Sequence, residues 1–394
     1  MKDVLIIAHF SSTSINGNCR FSYIANMMID QGYKVELVTS DFSHMTKSYK
    51  NSFVDMMYKI TMLHETKYKR NVGLMRLVGH YVFGRNLKRY LKDRKKPDII
   101  YCAVPSLDGA FHATNYAKKN KIKLIIDVQD LWPEAFGMVL SNSFISSFLF
   151  FPMKRKSKFI YKNADKVIAV SETYLEFVRK HRNPSEEDLS VYLGTSTSMF
   201  IETKENLQID KDEKEFWIGY VGTLGHSYDL ETVVDAIDIL KKKGITNIKL
   251  IIMGNGPLED YFKSYANRKR VQSIFFGRLP YDEMIQYLLK CDIAINPIKS
   301  KSAASIINKV GDYAAAGLPV INTQESSEYR SLLECYGAGL NCANEDALDI
   351  ASKIELLFNN QDLRRSMGGN NKILAEDKFN REKTYKDIIV LLEN

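Results

Sequence analysis

Short apolar runs alternate with longer amphipathic stretches along the whole chain. Runs rich in Val, Ile and Leu predict five strands in the first half, at residues 4–8, 35–39, 99–102, 124–128 and 167–170. Five more are predicted in the second half, at 217–221, 250–253, 274–276, 293–296 and 320–322. A helix is predicted between the first two strands, because apolar residues recur there with helical spacing at Phe21, Ile24, Ala25 and Met28. Strands that alternate with helices are typical of βα units and parallel sheets.

The chain is longer than one hydrophobic core usually serves. With 394 residues, two domains of about 150–200 residues each are expected. The segment 201–215 is polar and dense in charge, which is typical of a linker. We therefore predict an α/β protein with an N-terminal domain at 1–200, a linker at 201–215 and a C-terminal domain at 216–375. Open parallel sheets bind ligands at the carboxyl ends of their strands, so two such domains facing each other would enclose a cleft.

Composition excludes several classes of protein. The chain is 45% hydrophobic and 26% charged, which argues against a disordered, collagen-like or disulfide-stapled chain. The richest apolar run, about ten residues at 144–153, is too short to span a bilayer. The first residues lack the pattern of an export signal. Five scattered cysteines without a CxxC pair indicate a reducing cytoplasm and no structural zinc.

Positive charge is concentrated in the first half of the chain. Residues 1–200 contain 30 Lys and Arg against 18 Asp and Glu, whereas the remainder contains 25 against 29. Eleven of these cations lie within 67–96, and a second cluster at 154–158 follows the aromatic run 148–151. One interpretation is a solvated basic face. The other is an anionic membrane surface, because aromatic residues beside lysines suit the headgroup region. Nucleic acid is not expected, because no recognition motif accompanies the cations.

The loop after the first predicted strand is a candidate anion site. Asn16 and Gly17 precede the predicted helix, and Arg20 falls in its first turn. Backbone N–H groups at a helix N-terminus attract anions, and an Arg side chain would add a forked donor. The alternative is a tight turn with a solvated Arg20.

Glycines also follow two predicted strands of the second half. The candidate phosphate-binding residues after these strands are Gly222, Thr223, Gly254, Asn255 and Gly256. The second turn matches only half of the dinucleotide fingerprint, because the position of its third glycine is Glu259. An NAD-binding interpretation is therefore weak.

Five segments of the chain resemble the motifs of one family. They are 127–134 (DVQDLWPE), 164–171 (ADKVIAVS), 194–200 (GTSTSMF), 220–225 (YVGTLG) and 308–321 (NKVGDYAAAGLPVI). With these five segments in this order, the chain resembles the GT-B-fold retaining glycosyltransferases of glycosyltransferase family 4, especially the bacterial capsule and O-antigen branch. The likeness runs over almost the whole length.

The resemblance implies a fold, a reaction and a location. The fold would be two Rossmann-like doubly wound domains facing across a cleft, with a C-terminal helix at 376–394 that crosses back to the N-terminal domain. The reaction would move a sugar, with retention, from a nucleotide sugar to a lipid-linked saccharide in capsular or O-antigen polysaccharide synthesis. It would occur peripherally at the inner face of the cell membrane. No metal, protein nucleophile or cofactor is expected, and a UDP-linked N-acetylamino sugar is the expected donor by analogy with the branch.

The resemblance also implies roles for residues near the 308–321 segment. Lys309 would offset the diphosphate charge, and Asp312, three residues on along the same helical face, would accept hydrogen bonds from the ribose. The alternative is a surface ion pair between the two. Glu325 and Glu328, after the next strand, would contact sugar hydroxyls or cap the following helix.

Two further residues complete the expected site. Asp130 would face the cleft, and it forms the expected catalytic set with Lys309 and Asp312. The neighbouring Trp132 is expected to be buried. Arg278, after the third strand of the second half, would supply a donor-site cation or would be an exposed loop arginine.

The sequence departs from the family pattern at three positions. Ala304 stands where the first motif Glu is expected, Gln129 where many members have His, and Thr223 where an Arg is usual. Two alternatives stay open. One is a GT-B-fold sugar-nucleotide epimerase, although no His–Glu constellation for its acid–base chemistry is evident. The other is a catalytically silent, membrane-associated partner of a capsule assembly complex, which the substitutions at 304 and 129 motivate.

Overall fold

The chain folds into two compact units. The computed structural model describes residues 1–11, 19–50, 56–69, 73–137, 143–206, 208–300, 302 and 305–393. The first unit comprises Met1–Val191 and Tyr385–Asn394, and the second comprises Tyr192–Thr384.

The first unit is built on an open parallel sheet. Its strands are β1 (Asp3–Ile7), β2 (Lys34–Ser40), β3 (Phe42–Ser43), β4 (Ser48–Tyr49), β5 (Lys59–Leu63), β6 (Ile99–Val104), β7 (Lys123–Val128), β8 (Lys166–Ala169) and β9 (Leu189–Ser190). Its helices before the second unit are α1 (Arg20–Asp30), α2 (Leu74–Asp93), α3 (Leu107–Asn120), α4 (Glu134–Gly137), α5 (Ser143–Asn163) and α6 (Glu172–Arg179). Among the described residues, seven strands form the sheet in the order β5-β2-β1-β6-β7-β8-β9, and β3 pairs with β4 in a separate hairpin.

The second unit is built on a similar sheet. Its strands are β10 (Phe216–Val221), β11 (Ile248–Met253), β12 (Ser273–Phe275), β13 (Ile293–Asn296), β14 (Val320–Asn322) and β15 (Gly339–Asn341). Its helices are α7 (Thr197–Glu205), α8 (Leu230–Lys242), α9 (Glu259–Lys269), α10 (Tyr281–Lys290), α11 (Lys309–Ala316), α12 (Ser327–Tyr336), α13 (Ala347–Asn359), α14 (Gln361–Leu374) and α15 (Arg381–Thr384), with a π-helical turn at Ala375–Phe379. The strand order is β12-β11-β10-β13-β14-β15, all parallel.

Both sheets have the Rossmann strand order. Counted within each sheet, the first six strands follow the order 3-2-1-4-5-6. The order reverses between β1 and β6 in the first unit and between β10 and β13 in the second. Ligands of open α/β sheets bind outside the carboxyl ends of the strands at such reversal points. The topology therefore places one candidate crevice in each unit.

The core of the second unit lies on both faces of its sheet. Phe216, Ile218 and Tyr220 of β10 pack into one hydrophobic cluster with α8 and α13. Trp217, between them in sequence, packs into a second cluster with α10 and α11. Because successive strand residues point to opposite faces, this alternation makes the sheet doubly wound.

A helix from the end of the chain completes the first unit. In α16 (Lys386–Glu393), Ile388 and Leu391 are buried in the same cluster as Val4 and Ile6 of β1. The Nζ atom of Lys123 donates a hydrogen bond of 2.6 Å to the carbonyl oxygen of Leu391. The first unit therefore contains two separate segments of the chain.

The predicted strands are confirmed, whereas the unit boundaries differ from those predicted. All ten predicted strands are present, each displaced by two residues or fewer at its ends. The predicted linker at 201–215 begins inside α7, which belongs to the second unit, and the return to the first unit begins at 385 rather than 376. Phe200 and Phe379 explain the difference, because both are buried in the core of the second unit. Among the described residues, no helix has the length and apolarity needed to cross a membrane.

Candidate functional site

Two interlocked glycine turns lie at the carboxyl ends of β10 and β11. Gly222 and Gly254 have φ angles of +140° and +150°, in the region that favours glycine. A Cβ atom on Gly254 would lie 1.8 Å from the carbonyl oxygen of Gly222, so only glycine fits at this approach. The amide of Leu224 donates to the carbonyl of Asn255 at 2.9 Å, which ties the turns together. Gly256 is equally confined, since its Cβ would lie 2.3 Å from the Leu224 carbonyl oxygen.

Lys309 reaches this crevice from the first residue of α11. Its Nζ atom lies 4.1 Å from the ring centroid of Tyr220 and 4.3 Å from that of Tyr228. A Cβ atom on Gly222 would be 3.6 Å from the same nitrogen. The residue is only 7% exposed, and Nζ has no hydrogen-bond partner among the described residues. Burial lowers the pKa of Lys309 well below its ordinary value.

This environment fits an anion that the described part of the protein does not supply. A buried ammonium without a partner is unfavourable, and two aromatic faces offset only part of that cost. A phosphate group beside the glycine turns would provide the missing negative charge. Tyr220 and Tyr228 were not predicted, although Tyr220 lies two residues before Gly222 within the 220–225 segment.

Asp312 lies one helical turn after Lys309 but contacts a different part of the unit. Its Oδ1 atom accepts a hydrogen bond of 2.6 Å from the hydroxyl of Tyr281, the first residue of α10. The Tyr281 hydroxyl is also 2.5 Å from Oγ1 of Thr195. Burial raises the pKa of Asp312. A surface ion pair with Lys309 does not fit these contacts, because both side chains are buried and have different partners. The ribose contact of Asp312 stays a prediction.

The remaining predicted donor residues lie around the same edge of the sheet. Glu325 accepts from the hydroxyl of Ser300 at 3.3 Å, and Glu328, in the first turn of α12, accepts from the Tyr192 hydroxyl at 2.7 Å. Arg278 is exposed on the loop after β12 and forms no ion pair among the described residues. Thr223 and Asn255 are exposed, and position 304 lies outside the described residues.

The predicted anion loop of the first unit requires a correction. Asn16 and Gly17 lie outside the described residues. Arg20 is buried, with its Nε atom 2.8 Å from Oδ2 of Asp127 and its Nη1 atom donating to the carbonyl of Val191 at 3.1 Å. Burial opposes the charge of Arg20, but Asp127 raises its pKa overall. If Arg20 moved away to bind a phosphate, the buried Asp127 carboxylate would lose its ion-pair partner, which is unfavourable. We therefore assign Arg20 to the core and not to phosphate binding.

Asp130 lies just after the carboxyl end of β7, as predicted from the sequence. Its carboxylate accepts from the amide of Leu131 at 2.9 Å, from Nε1 of Trp132 at 3.2 Å and from the hydroxyl of Tyr174 at 3.3 Å. Burial raises the pKa of Asp130. Trp132 is buried, as expected, and the guanidinium carbon of Arg76 lies 4.7 Å from its ring centroid.

A buried polar set at the reversal point of the first sheet was not predicted. His9 follows β1, with Nδ1 2.7 Å from Oγ of Ser106 and Nε2 2.8 Å from Oε2 of Glu65. Its ring stacks on Phe10 and Phe83 at centroid distances of 4.4 and 4.0 Å. Burial lowers the pKa of His9 and raises that of Glu65. Because both ring nitrogens are engaged, this set positions the ends of three strands. The position of His9 directly after a strand was the available signal.

Solved structures share the fold of the whole chain. Sucrose-phosphate synthase from Thermosynechococcus elongatus matches with a TM-score of 0.74 and 14% identity, covering 100% of this chain and 98% of that one. Anabaena Alr3699/HepE in complex with UDP-glucose matches with a TM-score of 0.68 and 13% identity, covering 100% of both chains. A UDP-N-acetylglucosamine 2-epimerase from Listeria monocytogenes, described as putative in that structure's name, has a lower TM-score of 0.61 at 11% identity, covering 99% and 94%. The fold is that of the GT-B glycosyltransferases.

Sequence comparison identifies the two domains. The Glycosyltransferase Family 4 domain matches residues 21–192, and the Glycosyl transferases group 1 domain matches residues 202–373. The chain is a glycosyltransferase that joins a family 4 domain to a group 1 domain.

Curated relatives agree with this assignment. An uncharacterized glycosyltransferase of Methanocaldococcus jannaschii, MJ1178, is 24% identical over 84% of this chain and 85% of its own length. The capsular polysaccharide biosynthesis glycosyltransferase CapM of Staphylococcus aureus is 23% identical over 62% of this chain and 65% of its own length.

Proposed function

We propose that the second unit binds a nucleotide-sugar donor and that the enzyme transfers its sugar, with retention, to a lipid-linked saccharide in capsular or O-antigen polysaccharide synthesis. The observation that carries the proposal is the buried ammonium of Lys309, which lies beside the glycine turns at Gly222 and Gly254 and has no hydrogen-bond partner in the described ranges. A donor diphosphate has the charge that this crevice lacks. The complex of HepE with UDP-glucose supports a UDP-linked donor, and CapM supports a capsular role.

The protein would contribute position and electrostatics to the reaction. Lys309 would stabilise the charge that grows on the diphosphate as the sugar departs, which is the charge that changes most between substrate and transition state. The glycine turns would allow the backbone to approach the phosphates closely. The acceptor hydroxyl would attack the anomeric carbon from the side of the leaving group, and the departing phosphate would take the hydroxyl proton. No protein nucleophile or metal is needed for this sequence of events.

Asp312 would contact the ribose through a rearranged hydrogen-bond network. In the structure, Tyr281 and Thr195 already occupy the neighbourhood of its carboxylate. A ribose hydroxyl would either replace the Tyr281 hydroxyl or join it as a second donor. Glu325 and Glu328, near the same sheet edge, would contact the hydroxyls of the transferred sugar.

The first unit would bring the enzyme to an anionic membrane surface. Arg85, Lys88, Arg89 and Lys92 on α2 are exposed and form no ion pair among the described residues. On α5, Phe151 is exposed, and the guanidinium carbon of Arg155 lies 5.9 Å from its ring centroid. Cations beside exposed aromatic rings suit the headgroup region of anionic lipids.

Turnover with a panel of sugar nucleotides tests the proposed function. Purified protein is incubated with UDP- and GDP-sugars, with and without membrane extract, and nucleotide release and transfer to lipid are followed. We expect one UDP-N-acetylamino sugar to be consumed faster when extract is added, and Lys309→Met to abolish consumption. The control Lys242→Met removes a lysine whose side chain is 72% exposed and leaves turnover unchanged.

Two results would contradict the proposal in different ways. A nucleotide sugar that is isomerised without any acceptor would favour the epimerase alternative, for which the structural likeness is weaker. Calorimetry that detects no binding of any UDP- or GDP-sugar would favour the catalytically silent partner.

A further inference from the structure

A basic pocket lies at the beginning of α2 in the first unit. Its volume is about 640 Å³, and its lining includes Lys47, Lys67, Lys69, Arg76, Leu74 and Met75. None of the described residues in the lining is acidic. The pocket is outside the crevice of Lys309, which belongs to the second unit.

Two of the four cations in the lining, Lys67 and Lys69, have no carboxylate partner among the described residues. Both are exposed. Lys47 lies over the ring of Tyr68, at 4.8 Å from the centroid. Burial, and after it the nearby Arg76, lower the pKa of Lys47, whereas Glu65 opposes this shift. The exposed Lys67 and Lys69, beside Lys47 and Arg76 in the same lining, favour a ligand with more than one negative charge.

An apolar stripe adjoins the cations. Leu74, Leu77, Val78 and Tyr81 fall at positions i, i+3, i+4 and i+7 of α2, and all four are exposed. These positions share one face of a helix. Leu74 is 80% exposed and Met75, also in the pocket lining, is 51% exposed. A ligand that satisfied both surfaces would combine an anionic group with a flexible apolar chain.

The pocket is connected to the Asp130 region through one side chain. Arg76 lines the pocket and also stacks on Trp132. The indole N–H of Trp132 donates to Oδ2 of Asp130. A group bound to Arg76 would therefore be separated from Asp130 by a single indole ring.

We propose that this pocket binds the phosphate or diphosphate group of the lipid-linked acceptor, with the adjoining lipid chain along the apolar stripe of α2. This inference rests on the proposed function and names the part of the acceptor that is recognised. The cations bind the phosphate oxygens, the exposed Leu74 and Met75 cover the first apolar units, and the saccharide extends past Arg76 toward Asp130.

Farnesyl diphosphate is the probe for this proposal. Its binding to the full-length protein is measured by calorimetry, alongside farnesol, inorganic pyrophosphate and phosphatidylglycerol vesicles. We expect farnesyl diphosphate to bind more tightly than either of its two halves. We also expect K67Q/K69Q to weaken its binding by about tenfold or more, which two lost charge-assisted contacts would produce. The matched control K34Q/K162Q removes two exposed lysines elsewhere on the first unit and changes the affinity less than about twofold.

A second variant tests the apolar half of the pocket. Leu74→Asn is expected to weaken farnesyl diphosphate binding and to leave pyrophosphate binding unchanged. Because Leu74, Lys67 and Lys69 are all exposed, these variants are expected to fold, and thermal melting checks this.

Three outcomes would overturn the proposal. In the first, the double variant retains farnesyl diphosphate affinity. In the second, pyrophosphate binds as tightly as farnesyl diphosphate, so the pocket recognises free phosphate. In the third, only vesicle binding falls in K67Q/K69Q, so the pocket serves the bilayer headgroups. UDP-glucose binding is measured on the same samples. If the unmodified protein does not bind UDP-glucose, the proposed function is contradicted. The three outcomes above, in contrast, concern only the pocket.

Discussion

Replacing Lys309 with Met is expected to stabilise the protein and to weaken donor binding. Methionine has a similar length and no charge, so it removes the buried ammonium from beside Tyr220 and Tyr228 without leaving a large cavity. A buried polar group without a hydrogen bond costs about 1–3 kcal/mol in mutational series. We therefore expect the free energy of unfolding of the ligand-free protein to rise by about that amount.

The same change is expected to weaken the binding of UDP-glucose. A hydrogen bond to a charged group contributes about 1.5–3 kcal/mol, which corresponds to about a tenfold to hundredfold loss of affinity. Urea denaturation gives the first quantity and calorimetry gives the second. Lys242→Met is the control for both, because its side chain is 72% exposed and loses only an i,i+4 surface pair with Asp238, which contributes about 0.3–0.5 kcal/mol.

The pH dependence of binding provides an independent check. Burial lowers the pKa of Lys309 in the free protein, and a bound diphosphate would raise it again because it favours the charged form. Between the two pKa values binding takes up one proton. Affinity therefore rises as the pH falls through that interval, by at most about tenfold per pH unit, and is constant below the lower pKa.

Proton uptake can be measured directly. UDP-glucose is titrated into the protein in two buffers with different heats of ionisation, and the difference in heat gives the protons bound. A sugar nucleotide is used because UDP itself has a phosphate that titrates near pH 6. If Lys309→Met takes up the same number of protons as the unmodified protein, or is less stable than it, Lys309 is a structural residue and the reasoning is refuted.

Four other changes have expected outcomes. Arg20→Met leaves the buried Asp127 carboxylate without its ion-pair partner and is expected to lower the free energy of unfolding, measured with urea, by about 3–5 kcal/mol. A decrease below about 1 kcal/mol would favour a role of Arg20 in anion binding instead. Gly254→Ala places a Cβ against the carbonyl of Gly222 and is expected to abolish UDP-glucose binding in calorimetry. Gly244→Ala is the matched control and retains binding, because Gly244 also has a positive φ, of +95°, but has open space around its Cβ. Activity is expected to survive EDTA, and restoration of lost activity by Mg²⁺ would contradict the metal-independent mechanism. Charge reversal of four basic residues is expected to reduce the fraction of protein that sediments with anionic liposomes; the four are Lys88, Arg89, Lys92 and Lys154. An unchanged fraction would contradict the membrane proposal.

Much of the fold follows from patterns that lie within short segments. Strands buried on both faces read as continuous apolar runs, so the ten predicted strands were identified from local sequence alone. β5 was not predicted, because it lies at the sheet edge, is only partly buried and carries Lys59 and Thr61 among its apolar residues. The boundary at 191 was also not predicted. It depends on Phe200 and Phe379 belonging to one hydrophobic cluster, which brings together residues far apart in the sequence.

Residues of the candidate site could be predicted from the sequence only where they lie within a recognisable motif. The glycine turns and Lys309 lie together as expected, since their positions follow from strand ends and one helix start. The partners of Asp312 could not be predicted, because Tyr281 and Thr195 come from distant parts of the chain and carry no motif. Arg20 is the opposite case, in which a local sequence pattern suggested a role that a distant residue rules out. The position of Arg20 in a first helical turn suggested an anion site, but the buried Asp127 on another strand decides its role.

The return of α16 to the first sheet has a consequence for biosynthesis. The first unit is complete only when Ile388 and Leu391 cover the side chains of β1, yet all of Tyr192–Thr384 is translated before them. At about 5–20 residues per second, the 193 residues of that interval (384 − 192 + 1) take about 10–40 s to make. During this time the apolar side chains that α16 covers stay exposed on the nascent first unit, and exposed apolar surface of this kind makes a partly folded chain prone to aggregation.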